Sequence, residues 1–144
     1  MDSQYHTLLV AIDCSEDSAR VLSRAASIAG DNARMHLIHV VEPLALAYGA
    51  DVPMDVSDLQ ASLIDQARKT ALQHARHYKI AADQVHVELG AIEKTIREKA
   101  DQIGADLIVI GSHTRSGLAL LLGSTARGLV PGAHCDVLAV KVDQ

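Results

Sequence analysis

The stretch Gly111-Ser112-His113-Thr114-Arg115-Ser116-Gly117, which continues through Leu118-Ala119-Leu120-Leu121-Leu122 into Gly123-Ser124-Thr125, is the part of this chain best equipped for chemistry. It leaves a buried apolar run, crosses a glycine-rich loop and enters the start of a helix. Glycine lets main-chain N–H groups approach a phosphate closely, and the first turn of a helix offers unpaired N–H donors with a partial positive charge. The layout therefore suits an anion, and nucleotide binding is the first function it suggests. Ser124 or Thr125 can cap the helix with a hydroxyl that also reaches a phosphate oxygen. The plainer reading of the same tripeptide is a capped helix stopped by Pro131.

A second constellation, Asp13-Cys14-Ser15, closes the apolar run Leu8-Leu9-Val10-Ala11-Ile12. Asp13 or Ser15 can cap the helix that follows, and Asp13 can also meet a ribose or a magnesium ion carried on a phosphate. The residues by themselves leave both uses open. No GxxxxGK[ST] loop occurs and no GxGxxG follows the first strand, so hydride transfer to a dinucleotide has no support. The loop holds no lysine, which leaves Arg115, Arg127, His113 or a metal ion to neutralise phosphate charge.

These residues need a scaffold. Leu8 to Ile12, Leu37-Ile38-His39-Val40-Val41 and Leu107-Ile108-Val109-Ile110 are short, nearly continuous apolar runs, as in parallel strands covered on both faces. Val85-His86-Val87-Glu88-Leu89 alternates instead and belongs at an edge. Between the strands the period lengthens: Leu22, Ala26 and Ala29 mark one helix, Leu59, Leu63, Ala67, Ala71 and Tyr78 a second, Ile92, Ile96, Ala100 and Ile103 a third. Glu93 with Arg97 and Lys94 with Glu98 support the third, and Gly30 and Gly104 stand where left-handed caps are common. Right-handed crossovers then give an α/β fold, an open doubly wound five-stranded parallel sheet of Rossmann-like type with helices on both faces. In the common order 2-1-3-4-5 or its relative 3-2-1-4-5, such sheets receive ligands beyond the carboxyl ends of the strands where the winding reverses, and the order 3-2-1-4-5, the one expected here, brings Asp13 beside Gly111.

With 144 residues, 49% of them apolar and 22% charged, the chain reads as a single domain over 1–144. A formal net charge of −5, with 2% aromatic content and no Trp or Phe, argues against nucleic acid as a partner. No basic leader precedes Leu8, and no apolar run is long enough for membrane insertion, so the expected location is cytoplasmic. Cys14 and Cys135 form no CxxC pair and suit reduced thiols. His74 with His77, and His36 with His39, are not read as metal sites, because strand positions three apart face opposite sides and zinc needs three or four convergent ligands. Cys14 is read as a small packed residue, since no Cys-His-Asp or Ser-His-Asp set assembles from the sequence.

The chain resembles the universal stress protein A family over nearly its whole length, from His6-Thr7-Leu8-Leu9-Val10-Ala11-Ile12-Asp13 through Leu37-Ile38-His39-Val40-Val41 to Cys135-Asp136-Val137-Leu138-Ala139-Val140. Nucleotide-binding members of that family carry a glycine, two residues, a second glycine, about nine residues and then Gly-Ser or Gly-Thr, a cradle of main-chain N–H groups. Gly111 matches the first glycine and Gly123-Ser124 the last pair; Thr114 stands at the second, followed by eight residues, Arg115 to Leu122. β-Branching disfavours positive φ, so Thr114 is a real departure. The resemblance implies that Asp13 and the backbone of Val41, with Ala11, flank an adenosine. It places Gly111, Thr114, Arg115, Gly123, Ser124 and Thr125 near the phosphates of ATP, with magnesium reached only through Asp13.

Residues 43–57 form a long connection with two prolines and a glycine, suited to a pocket rim or a partner surface. The run over residues 137–142 is an apolar sheet edge, which a twofold partner would cover; the resemblance likewise implies a homodimer joined through it. The expected function is a dimeric stress-response protein that binds ATP or a related adenine nucleotide and is not an efficient enzyme, since no residue is identified to position an attacking water. The alternative is a dimeric interaction protein without nucleotide, using residues 43–57 and 118–122 as its surface, or a regulator of a transporter or other cytoplasmic partner.

Overall fold

A computed structural model describes residues 5–13, 15–44, 57–112 and 129–142. Five strands, β1 (Thr7–Ala11), β2 (Arg34–Val41), β3 (Val85–Leu89), β4 (Leu107–Ser112) and β5 (Asp136–Lys141), pair in parallel in the order β3-β2-β1-β4-β5. The sheet is the predicted doubly wound one, with the alternating strand β3 on one edge and β5 on the other.

Helices α1 (Ser18–Ala29) and α2 (Ser57–His77) cover one face, where Leu8, Val10, Leu37 and Val109 meet Val21, Leu22, Ala25 and Ala71. Helix α3 (Ile92–Ile103) and Leu129 cover the other, against Leu9, Ile38, Ile108 and Ile110. This division follows from handedness: the two steps from β1 to β3 move one way across the sheet and the step to β4 moves back, so right-handed crossovers put their helices on opposite faces. Leu8, Leu9 and Val10 are all 0% exposed, which is why this strand reads as an unbroken apolar run and not as an alternation.

Helix α1 buries Val21, Leu22, Ala25 and Ala29, a stripe at helical spacing. Helix α2 departs from its sequence reading. Ala67, Ala71 and Ala75 are buried, while Leu59 and Leu63 are 52% and 42% exposed. Small alanines let the middle of the helix lie close to β2 and β3, and its amino-terminal turns extend beyond that contact. Helix α3 ends at Gly104, whose φ of 69° and ψ of 39° are left-handed and whose amide bonds back to Ala100 and Asp101. On its solvent side Lys94 pairs with Glu98 at 3.8 Å, an exposed contact of little energetic weight.

Candidate functional site

Strands β1 and β4 are adjacent in space, with Leu8 opposite Leu107 and Val10 opposite Val109; α1, which follows β1, packs on one face of the sheet and Leu129 on the other. A crevice of about 140 Å³ opens beyond their carboxyl ends. Ile38, Ile92, Ile96 and Ile110 form its apolar wall with Val21 and Val142; Asp13, Asp17, Ser18 and His39 are its polar members.

Asp13 does two jobs. Its Oδ1 accepts the Ser15 amide at 3.0 Å, the Ser15 hydroxyl at 2.6 Å and the Ser18 hydroxyl at 3.3 Å. The first of these is an aspartate turn, which leads the chain from the strand into α1. It also gives the hydroxyl of Ser18, 1% exposed, a partner. Ser15 Oγ in turn accepts the Asp17 amide at 3.3 Å. The N-cap position of α1 is Asp17, with no side-chain cap, so neither Asp13 nor Ser15 caps the helix as the sequence suggested; Asp13 instead shapes the turn that leads into it, and the same side chain lines the crevice.

Gly111 has a reason of its own to be glycine. A Cβ there would stand 3.2 Å from Val21 Cγ2 and 3.5 Å from Val142 Cγ1. The missing side chain thus lets α1 and the end of β5 close over β4, a packing role independent of any anion.

Ala11, Asp13 and Gly111 come together in the crevice. At the end of β2 it is Val40 that lines it, while the Val41 carbonyl accepts the Gly90 amide at 3.0 Å. Thr114, Arg115, Gly123, Ser124 and Thr125 lie outside the described residues, as do Cys14, His113, Arg127, residues 118–122 and most of the connection over 43–57.

His39 is the site member that sequence reasoning missed. Its Nδ1 lies 2.8 Å from the Ile12 carbonyl, and Ile12 in turn donates its amide to Ile38 O at 2.9 Å. The signal that marks it in the sequence is its position two residues before the end of β2, beside the reversal point; its spacing from His36 says nothing of the site. That residue meets His86, with Nδ1 and Nε2 3.1 Å apart. Among the described residues no group of three or more His, Cys, Asp or Glu could hold a metal ion, and no helix is long and apolar enough to cross a membrane.

An open doubly wound sheet with an apolar crevice at its reversal point defines the class: a small α/β domain of doubly wound type, a fold whose ligands as a rule sit beyond the carboxyl ends of the strands. A family model described as the universal stress protein family matches residues 4–141, and the chain belongs to that family. It is 39% identical over 143 residues to universal stress protein A homolog 2 of Coxiella burnetii, covering 96% of each chain. Among solved structures, a universal stress protein from Lactobacillus plantarum superposes with a TM-score of 0.74 at 24% identity, covering 96% of this chain and 99% of that one. A universal stress protein crystallised in complex with cAMP superposes with a TM-score of 0.69 at 24% identity, covering 98% and 100%. These two likenesses define the fold.

Proposed function

We propose that the protein binds an adenine nucleotide, ATP with or without magnesium, at the β1–β4 crevice and acts as a dimeric stress-response regulator in the cytoplasm. The observation that carries the reading is the meeting of Ala11, Asp13 and Gly111, from two distant parts of the chain, in one crevice. Magnitude decides which part of the ligand sits there. Pockets for whole drug-sized ligands start at about 300 Å³, whereas this crevice has about 140 Å³, room for a planar base. Isoleucine and valine walls suit the faces of such a ring.

The phosphates then extend toward residues 113–128, where Thr114, Arg115, Gly123, Ser124 and Thr125 form the second half of the proposed site. The family membership and the cAMP complex of a structural neighbour support a cyclic or linear adenine nucleotide as the ligand class. Nucleotide occupancy alters the protein's shape or partners and is not tied to efficient hydrolysis. The second subunit pairs along β5, whose outer side is an edge of the sheet.

Mass analysis of the gently denatured protein for released adenine nucleotide, followed by calorimetric titration with Mg-ATP, tests the proposal. Released nucleotide, or binding at micromolar to millimolar ligand, is expected. Neither a bound nucleotide nor any heat at millimolar Mg-ATP rejects it.

A further inference from the structure

The crevice contains an imidazole whose two nitrogens are already distinguished by the backbone. His39 Nδ1 is 2.8 Å from the Ile12 carbonyl oxygen. A carbonyl can only accept, so Nδ1 carries the hydrogen, and in the neutral ring Nε2 is left as a bare acceptor. Among the described residues Nε2 has no hydrogen-bond partner. The ring is half-buried and lines the crevice between Ile38 and Val40.

Its polar neighbours share its character. Asp13 and Asp17 bring carboxylates to the same crevice, and the Ser18 hydroxyl is donated to Asp13. The described wall thus offers acceptors and no cationic side chain. A ligand part carrying N–H or O–H groups would find partners here in an apolar setting, where an unmade hydrogen bond is costly.

We propose that His39 reads a hydrogen-bond donor on the ligand through Nε2, so that the crevice selects nucleosides presenting an amine or a hydroxyl at that point. The inference rests on the nucleotide reading and adds to it a residue and a selection rule. The donor is either the exocyclic amine of the base or a ribose hydroxyl, the same chemistry from two ends of the nucleoside.

Two substitutions separate the two nitrogens. His39→Asn keeps an N–H near the place of Nδ1 and has nothing near Nε2; His39→Gln keeps a polar atom near Nε2 and loses the tie to Ile12. In calorimetric titrations with ATP, His39→Asn weakens binding about tenfold while the melting temperature stays close to that of wild type. His39→Gln melts earlier and retains more of the affinity. Wild type titrated with ITP, 2′-deoxy-ATP and 3′-deoxy-ATP loses about tenfold on whichever analogue lacks the donor being read, and His39→Asn does not distinguish that analogue from ATP.

Equal ATP affinity in wild type and His39→Asn overturns the inference and leaves the nucleotide reading intact, because His39 is then only a tie between strand ends. Absence of binding by wild type overturns both. Nitrogen-15 spectra of the ligand-free protein give an answer that does not depend on binding. A pyridine-like Nε2 and a pyrrole-like Nδ1 are expected for His39, and the reverse tautomer overturns the inference.

Discussion

Asp106 and Asp13 stand at opposite ends of the β1–β4 seam. Asp106, just before β4, accepts the His6 amide at 2.8 Å and the Thr7 amide at 3.0 Å, and its own amide donates to Thr7 O at 2.9 Å. Burial acts to raise its carboxyl, but the backbone N–H groups of His6, Thr7 and Asp106 itself outweigh that and hold it below the usual carboxylate range. Around it, the Tyr5 hydroxyl donates to Asp136 at 2.8 Å and the His134 ring meets Asp101 at 3.1 Å. The half-buried thiol of Cys135 is pushed up, first by burial and then by Asp136, so it stays protonated and a poor nucleophile. At the amino end, then, polar groups bond to one another around a shallow hollow of about 360 Å³ lined by Tyr5, Asp106, His134, Cys135 and Asp136. At the carboxyl end Asp13 ties a helix start and still faces a crevice with His39. The lesson is one of lining: the amino-end hollow is bordered by polar groups that bond one another, whereas the carboxyl-end crevice is walled by isoleucine and valine and lies where such sheets receive ligands.

The largest test of this contrast is Asp106→Ala, which leaves the His6 and Thr7 amides without their carboxylate. We expect a loss of about 2 kcal/mol in urea unfolding with nucleotide affinity unchanged; a fall in affinity would break the contrast. The pH dependence has a definite sign. A carboxyl held low in the folded state contributes stability above its unfolded value, about 3.9, and that contribution is lost as pH falls through the folded value. Asp106→Asn therefore flattens the acid limb of the stability profile.

Asp13→Ala should cost about 1 kcal/mol of stability through the lost bonds to Ser15 and Ser18, and on the proposed reading about tenfold in ATP affinity. Loss of stability with no change in affinity would make the two aspartates alike, both structural. Gly111→Ala should cost about 1 kcal/mol, because its Cβ would press on Val21 Cγ2 at 3.2 Å. The penalty should shrink in a Val21→Ala background, as a double-mutant cycle would show. An equal penalty in both backgrounds would mean that Gly111 is needed for something other than packing.

The smallest effect belongs to the outer edge of the sheet, where His36 and His86 meet with ring centres 5.3 Å apart and planes 12° apart. That spacing matches the 3.1 Å between nitrogens plus the reach of each ring, so the rings meet edge to edge and share one hydrogen. Burial lowers both rings' affinity for a proton; Arg34 adds to this at His36 and Lys99 at both, against Asp83 at both and Glu88 at His86. Lys99 is itself bound to Glu88 at 2.8 Å. The unfolded chain therefore takes up protons first as pH falls below about 6.5, and stability declines from that point downward. Because both rings are half exposed, the change should stay below about 1 kcal/mol between pH 7.5 and 5.5. Replacing both histidines with glutamine should flatten the profile there while leaving the crevice untouched.

Much of this was legible in the residues. Unbroken apolar runs marked the central strands and alternation marked β3 as an edge, because each pattern reflects how many faces a strand has covered. Reading α2 as a single apolar stripe failed at Leu59 and Leu63, since periodicity reports which residues share a face but not where the sheet beneath them ends. Asp13 and Gly111 could be named from sequence because they follow apolar runs that form neighbouring strands. The sequence had no means of showing that Gly111 makes room for Val21, or that His36 and His86, 50 residues apart, share a hydrogen.

The chain alone determined its five parallel strands and their doubly wound sheet, because hydrophobic period and crossover handedness are local and chiral rules. Only the tertiary structure decided which nitrogen of His39 carries the hydrogen and that Asp13 serves a helix and a crevice together. Those facts depend on distances between atoms far apart in sequence, which packing sets and no periodicity encodes.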